Sequence, residues 1–193
     1  MANTLLTSFS LIMFMIITGN PSTKGNASKN EDIVRSYISA RNNYDTEKVD
    51  ALIEDNYIET YVGGYMEIEN KEQLMDRILW GKEMDSKIKL LEITSNDNIV
   101  TTIEENTNYL DVALKRKSRR FKIVYTLRDG KIQNQKIDTI DGYHKVLKFN
   151  ADRYTKFVTY CEQNNLVYNR PLDQEFGIHL RKVLEKYTRD NEQ

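Results

Sequence analysis

Four short segments between residues 87 and 140 set the limits on what this chain can fold into: KIKLLEI, NIVTTIEEN, RRFKIVYTL and KIQNQKIDTI. In the third, Phe121, Ile123, Tyr125 and Leu127 alternate with Lys122, Val124 and Thr126. A period of two puts one set of side chains on one face of an extended strand, and an apolar set there has to be covered. Asp129-Gly130 joins the third segment to the fourth and is a strong hairpin signal. TSND separates the first two, and a longer stretch lies between the second and third. Consecutive strands joined in this way predict a meander in a mostly antiparallel sheet.

Upstream the period changes. In IVRSYISARNNYD (33–45), Ile33, Val34, Tyr37, Ile38 and Arg41 follow helical spacing. DTEKVDALIEDN predicts a shorter helix, capped by Asp45 or Thr46, with Val49, Leu52 and Ile53 inward. YIETYV (57–62) reads as a strand and Gly63-Gly64 as its turn. A third helix follows in NKEQLMDRILWGKEM, where Asn70 and Gln73 have the spacing of a capping box and Leu74, Met75 and Ile78 face inward. Three helices ahead of a meander predict an α+β domain with helices packed on one face of the sheet.

Two further helices are predicted beyond residue 142. Tyr154, Phe157, Val158 and Cys161 share a face of the first, which ends near Asn164-Asn165. Pro171 opens the second, with Leu172, Phe176, Leu180, Val183, Leu184 and Tyr187 in register. Such stripes need cover, supplied by the chain itself or by a protein partner docking through residues 150–193.

The N-terminal run LLTSFSLIMFMII (5–17) is apolar but short of the roughly 20 residues that a membrane-spanning helix needs. It suits a secretory h-region of about 7–15 residues. Residues 1–19 are therefore read as a signal peptide and 20–30 as a polar linker, with Gly19 or Ala27 as candidate ends. The expectation is a secreted or periplasmic protein, membrane-anchored if that segment is retained, with no stable membrane span in the remainder. The charges balance, 28 Lys+Arg against 29 Asp+Glu, so no global field favours nucleic acid. A single cysteine, Cys161, excludes an internal disulfide and a cysteine zinc cluster. His144 and His179 are far apart and carry no nucleophile motif, so neither metal nor cofactor is expected. KRKSRR (115–120), five basic residues in six, reads as a solvated loop and strand start, the alternatives being a phosphate contact or a nuclear localisation patch.

IVRSYISARNNYDTEKVDALIEDNYIE (33–59), ENKEQLMDRI (69–78) and LRDGKIQNQKIDTID (127–141) together resemble the nuclear-transport-factor-2-like superfamily. That superfamily includes ketosteroid isomerases and SnoaL-like polyketide cyclases. The resemblance covers roughly residues 31–142 and leaves 143–193 as a C-terminal helical extension. It implies a curved sheet wrapped around the N-terminal helices, a cone with an apolar pocket, and homodimers through the sheet.

Tyr37 falls on the superfamily's oxyanion tyrosine, a hydroxyl that donates to a developing enolate. Its other reading is a core tyrosine. The resemblance places the base near the end of the strand after the second helix, where Thr60 and Tyr61 stand. Glu59 is one or two positions away, on the wrong face unless a bulge corrects it. The partner acid belongs within FKIVYT, which holds no carboxylate. A cyclase-like reading points to Asp138 or Asp141, whose alternative is to cap a strand-end turn. Tyr61, Trp80 and Tyr125, with Tyr37, are candidate pocket walls. The sequence thus predicts an exported, non-catalytic domain that binds a small apolar molecule or serves in interactions. The alternatives are an isomerase-, cyclase- or dehydratase-like enzyme using Tyr37 with Glu59, Asp138 or Asp141, and a partner-binding protein.

Overall fold

The computed structural model describes residues 22–191. The signal-peptide expectation over 1–19 lies outside them. Helix α1 (Ser22–Asn42) begins well before Ile33, so the expected linker is helical from residue 22 onward. Polar residues at exposed helix positions cost less than about 1 kcal/mol each, and the apolar face over 33–40 anchors the remainder.

The elements that follow are α2 (Thr46–Leu52), β1 (Ile53–Tyr61), β2 (Tyr65–Ile68), α3 (Lys71–Glu83), β3 (Lys87–Asn96) and β4 (Ile99–Thr107). Then come α4 (Tyr109–Ala113), β5 (Arg119–Arg128), β6 (Lys131–Thr139), α5 (Tyr143–Gln163) and α6 (Gln174–Asn191). One sheet has the order β2-β1-β6-β5-β4-β3, antiparallel except where β1 runs beside β6. The α+β expectation and the meander hold. Asp129 and Gly130 both take positive φ, 50° and 80°, as a two-residue hairpin turn requires. Register shifts at Glu59/Thr60, Leu90/Glu92 and Thr126/Leu127 mark bulges that curl the sheet.

Local details differ from the sequence expectation. Ile53 opens β1 instead of closing α2, and β2 forms after Gly63-Gly64 to complete a hairpin. Asn70 does cap α3, but the Gln73 side chain accepts from the amide of Glu69, not of Asn70. Helix α6 starts after Pro171, at Gln174, because Asp173 Oδ1 accepts the Phe176 amide at 2.7 Å and fixes the first turn there.

Two apolar cores result. The first joins the inner sheet face to α1 through Val34, Tyr37, Ile38, Ile123 and Ile132. The second lies among α3, α4, α5 and α6 around Trp80, Met84, Phe157, Phe176 and Leu184. Helix α6 crosses α3 so closely at Gly177 that an added Cβ would stand 2.9 Å from Glu83 Cβ and 3.2 Å from Trp80 O. Arg181 donates to Glu83 O and Asp85 Oδ2, and its guanidinium lies 4.1 Å from the centre of the Tyr109 ring. Asn150 of α5 makes a reciprocal pair with the backbone N–H and C=O of Lys117, at 2.8 and 2.9 Å. The apolar stripes of the C-terminal helices are thus covered within the chain. Among the described residues no helix is long and apolar enough to cross a membrane.

Candidate functional site

The curled sheet and the C-terminal helices line a half-open cavity of about 680 Å³. Its floor comes from Arg41 of α1, Glu59 of β1, Glu104 of β4 and Gln135 of β6. Phe121, Ile123 and Ile137 form apolar wall, and Tyr143, Leu147 and Tyr154 of α5 face them.

Strand parity puts two acids inside. On β1, Tyr57 and Glu59 are buried on one face, with Tyr61 half-buried beyond them. On β4, Val100, Thr102 and Glu104 are buried in alternation. Glu59 and Glu104 are only 4% and 2% exposed. Two strands separate β1 from β4, a span on the order of 14 Å along a flat sheet. Curvature brings the two groups to one cavity.

Each acid is held by neutral hydroxyls. Tyr57 donates to Glu59 Oε1 at 2.8 Å, and the Tyr37 hydroxyl lies 3.0 Å from that of Tyr57. Since Tyr57 has one proton to give, Tyr37 is the donor between the two phenols. Arg41 Nη1 approaches both Tyr37 Oη and Glu59 Oε1 at 3.4 Å. Glu104 Oε1 accepts from Thr102 at 2.6 Å and from Tyr125 at 2.7 Å. All these bonds fall on Oε1, and among the described residues Oε2 of neither acid receives one.

Burial pushes the Tyr37, Tyr57 and Tyr125 phenols well above their ordinary range, so they act as neutral donors. Burial disfavours the Arg41 cation, but the surrounding groups more than offset this and hold it charged. Burial also raises the Glu104 carboxyl, while its bonds to Thr102 and Tyr125 oppose that shift. A raised carboxyl binds its proton more tightly in the folded chain than in the unfolded one. Stability should therefore fall as pH rises above about 4.5, the unfolded value, toward the folded one. Denaturant titrations of the wild type and Glu104→Gln at graded pH should show this slope in the wild type alone.

The sequence-derived candidates divide. Glu59 faces inward, with a register shift against β2 directly after it, which corrects the expectation that it points away. Tyr61 and Trp80 line the cavity, and the Tyr61 hydroxyl meets that of Tyr143 at 2.6 Å. Tyr37 and Tyr125 are fully buried behind the floor and do not line the cavity, their hydroxyls turned toward the acids. Asp138 and Asp141 are exposed and lie outside the cavity, because both follow the part of β6 that faces in; Asp138 instead accepts the Thr139 amide. The missing carboxylate is not on β5, as expected, but on its neighbour: Glu104 stands opposite Phe121 and meets Tyr125. The alternation of Val100, Thr102 and Glu104 was the signal for it. Among the described residues no His/Cys/Asp/Glu cluster suits a metal.

Comparison with solved structures places this architecture. An LEH-like epoxide hydrolase from M. tuberculosis superposes with a TM-score of 0.52 at 16% identity, covering 69% of this chain and 98% of the other. Bal32a, from a soil-derived mobile gene cassette, gives 0.51 at 20% identity, covering 64% and 98%. An NTF2-like protein of unknown function from Cytophaga hutchinsonii gives 0.46 at 18% identity, covering 56% and 87%. These likenesses show the fold alone, an NTF2-like cone. No family model matches the sequence, and no curated protein does. In this chain two further helices, α5 and α6, follow the last strand of the sheet.

Proposed function

We propose that the cavity performs general acid–base chemistry on a small, partly apolar organic molecule. The observation that carries this reading is the hydrogen bonding of Glu104. Both of its donors occupy Oε1, so a proton retained by this buried acid sits on Oε2, on a residue that lines the cavity. Glu59, paired with Arg41 and fed by the Tyr37–Tyr57 relay, is the base. It takes a proton from an acidic C–H or from a water molecule, and Glu104 gives one to the oxygen that develops charge. A positioned acid or base of this kind contributes about 10²–10⁴-fold. The earlier expectation of a non-catalytic domain rested on an interior without acids, and two buried glutamates remove that premise. The likeness to an epoxide hydrolase supports the fold alone. Export remains our proposal from the apolar run at 5–17.

The test is turnover of enone and epoxide panels by the purified protein. Wild type is expected to convert at least one class, and Glu59→Gln and Glu104→Gln to reduce that rate by about 10²–10⁴-fold with folding intact. Turnover undiminished in Glu104→Gln would sink the proposal. Ligand capture without conversion by the wild type would return the cavity to a binding role.

A further inference from the structure

The basic run KRKSRR, which charge alone assigns to solvent, is split by the fold. Lys115, Lys117 and Arg120 are exposed, while Arg116 and Arg119 turn into the cavity wall with side chains 11% and 28% exposed. Both meet one carboxylate. Arg116 Nε stands 3.2 Å from Asp111 Oδ1, and Arg119 Nη2 stands 3.4 Å from Asp111 Oδ2. A single carboxylate cannot neutralise two guanidinium groups, so one positive charge is left over at this end.

The other cations around the cavity have their own partners: Arg41 has Glu59, Arg77 has Glu67, Arg170 reaches Glu175, and Lys87 donates to Asn42 O. Among the described residues, the buried Nε–H of Arg119 makes no hydrogen bond, and that of Arg116 meets Asp111 Oδ1 as an ion pair at 3.2 Å without the alignment of a hydrogen bond. Burial works against the Arg116 cation, lowering its pKa despite Asp111. A cation held in this way gains from an anion that enters the cavity.

Register fixes where that anion sits. Arg119 lies opposite Asn106 on β4, and Phe121 lies opposite Glu104 two residues along. The two pairs are therefore about 7 Å apart on the same inner face. We propose that the Arg116–Arg119 end binds a carboxylate of the substrate, whose reacting atoms then reach Glu104 and Glu59. Arg guanidinium forks match a carboxylate in geometry, and one excess charge matches a monoanion. This deepens the acid–base reading of the same cavity and rests on it for its catalytic meaning.

Calorimetric titration tests it without turnover. The probes are arylalkanoates of graded chain length, each beside its own amide and an aryl phosphate of similar size. Wild type is expected to bind a carboxylate at least about tenfold more tightly than its amide. Arg119→Gln is expected to erase that preference and Arg119→Lys to keep part of it, whereas Glu104→Gln leaves it intact. Carboxylate and amide binding alike, or no carboxylate in the series binding, overturns the proposal. Tighter binding of the phosphate overturns the assignment to a monoanion. Loss of turnover in Glu104→Gln with carboxylate binding retained separates this site from the acid pair.

Discussion

Arg41→Met is expected to cost about 3–5 kcal/mol of folding stability, the range for breaking a buried ion pair by removing one partner. The Arg41 side chain is 18% exposed and that of Glu59 5%, so the pair is largely shielded from bulk solvent. Among the described residues, the variant leaves the buried acid held by the Tyr57 hydroxyl and, through it, by Tyr37. It also removes the cation lying 5.7 Å from the centre of the Tyr37 ring. Adding Glu59→Gln to the same chain should restore most of the loss, because the charge that needed compensation has gone. Urea unfolding of the wild type, both single variants and the double variant measures this as a coupling energy. Additive losses in that cycle would show that the pair contributes little.

Phe157→Ala is expected to cost a similar amount, about 3–5 kcal/mol, for a different reason. Phe157 is fully buried on α5, edge-on to Tyr187 of α6 at 5.4 Å and beside Tyr154 at 6.0 Å. Truncation leaves a void between helices whose other contacts are already set by the crossing at Gly177 and by the Arg181 bonds. The urea midpoint should fall with an unchanged slope, since α6 is packed on α3 and both belong to one cooperative unit. A shallower slope would instead reveal a C-terminal pair that melts separately from the cone.

The meander was legible because a period of two and an Asp-Gly turn are local signals, carried by residues 121–130 themselves. The contribution of the Val100–Thr102–Glu104 face was equally local and was missed because a glutamate in a strand reads as outward. Only its parity with Val100 says otherwise. The inward position of Glu59 follows from its parity with Tyr57 and Tyr61, and it was missed because the sequence expectation placed the base at Thr60 or Tyr61 and set Glu59 on the opposite face. Arg116 and Arg119 escaped for a third reason. A dense run of like charge belongs to solvent in most chains, and it took the α4 carboxylate Asp111, buried by the capping box at Asn108, to draw two of its members inward.

The grip of Asn150 on the Lys117 peptide has a mechanical corollary. Lys117 directly follows Arg116, so α5 is tied to that arginine through one peptide, whereas Arg119 is held in β5 against Asn106 of β4, the strand that also carries Glu104. A displacement of α5 would therefore alter the spacing between Arg116 and Arg119 while leaving the strand-borne Arg119, Glu104 and Glu59 in register with one another.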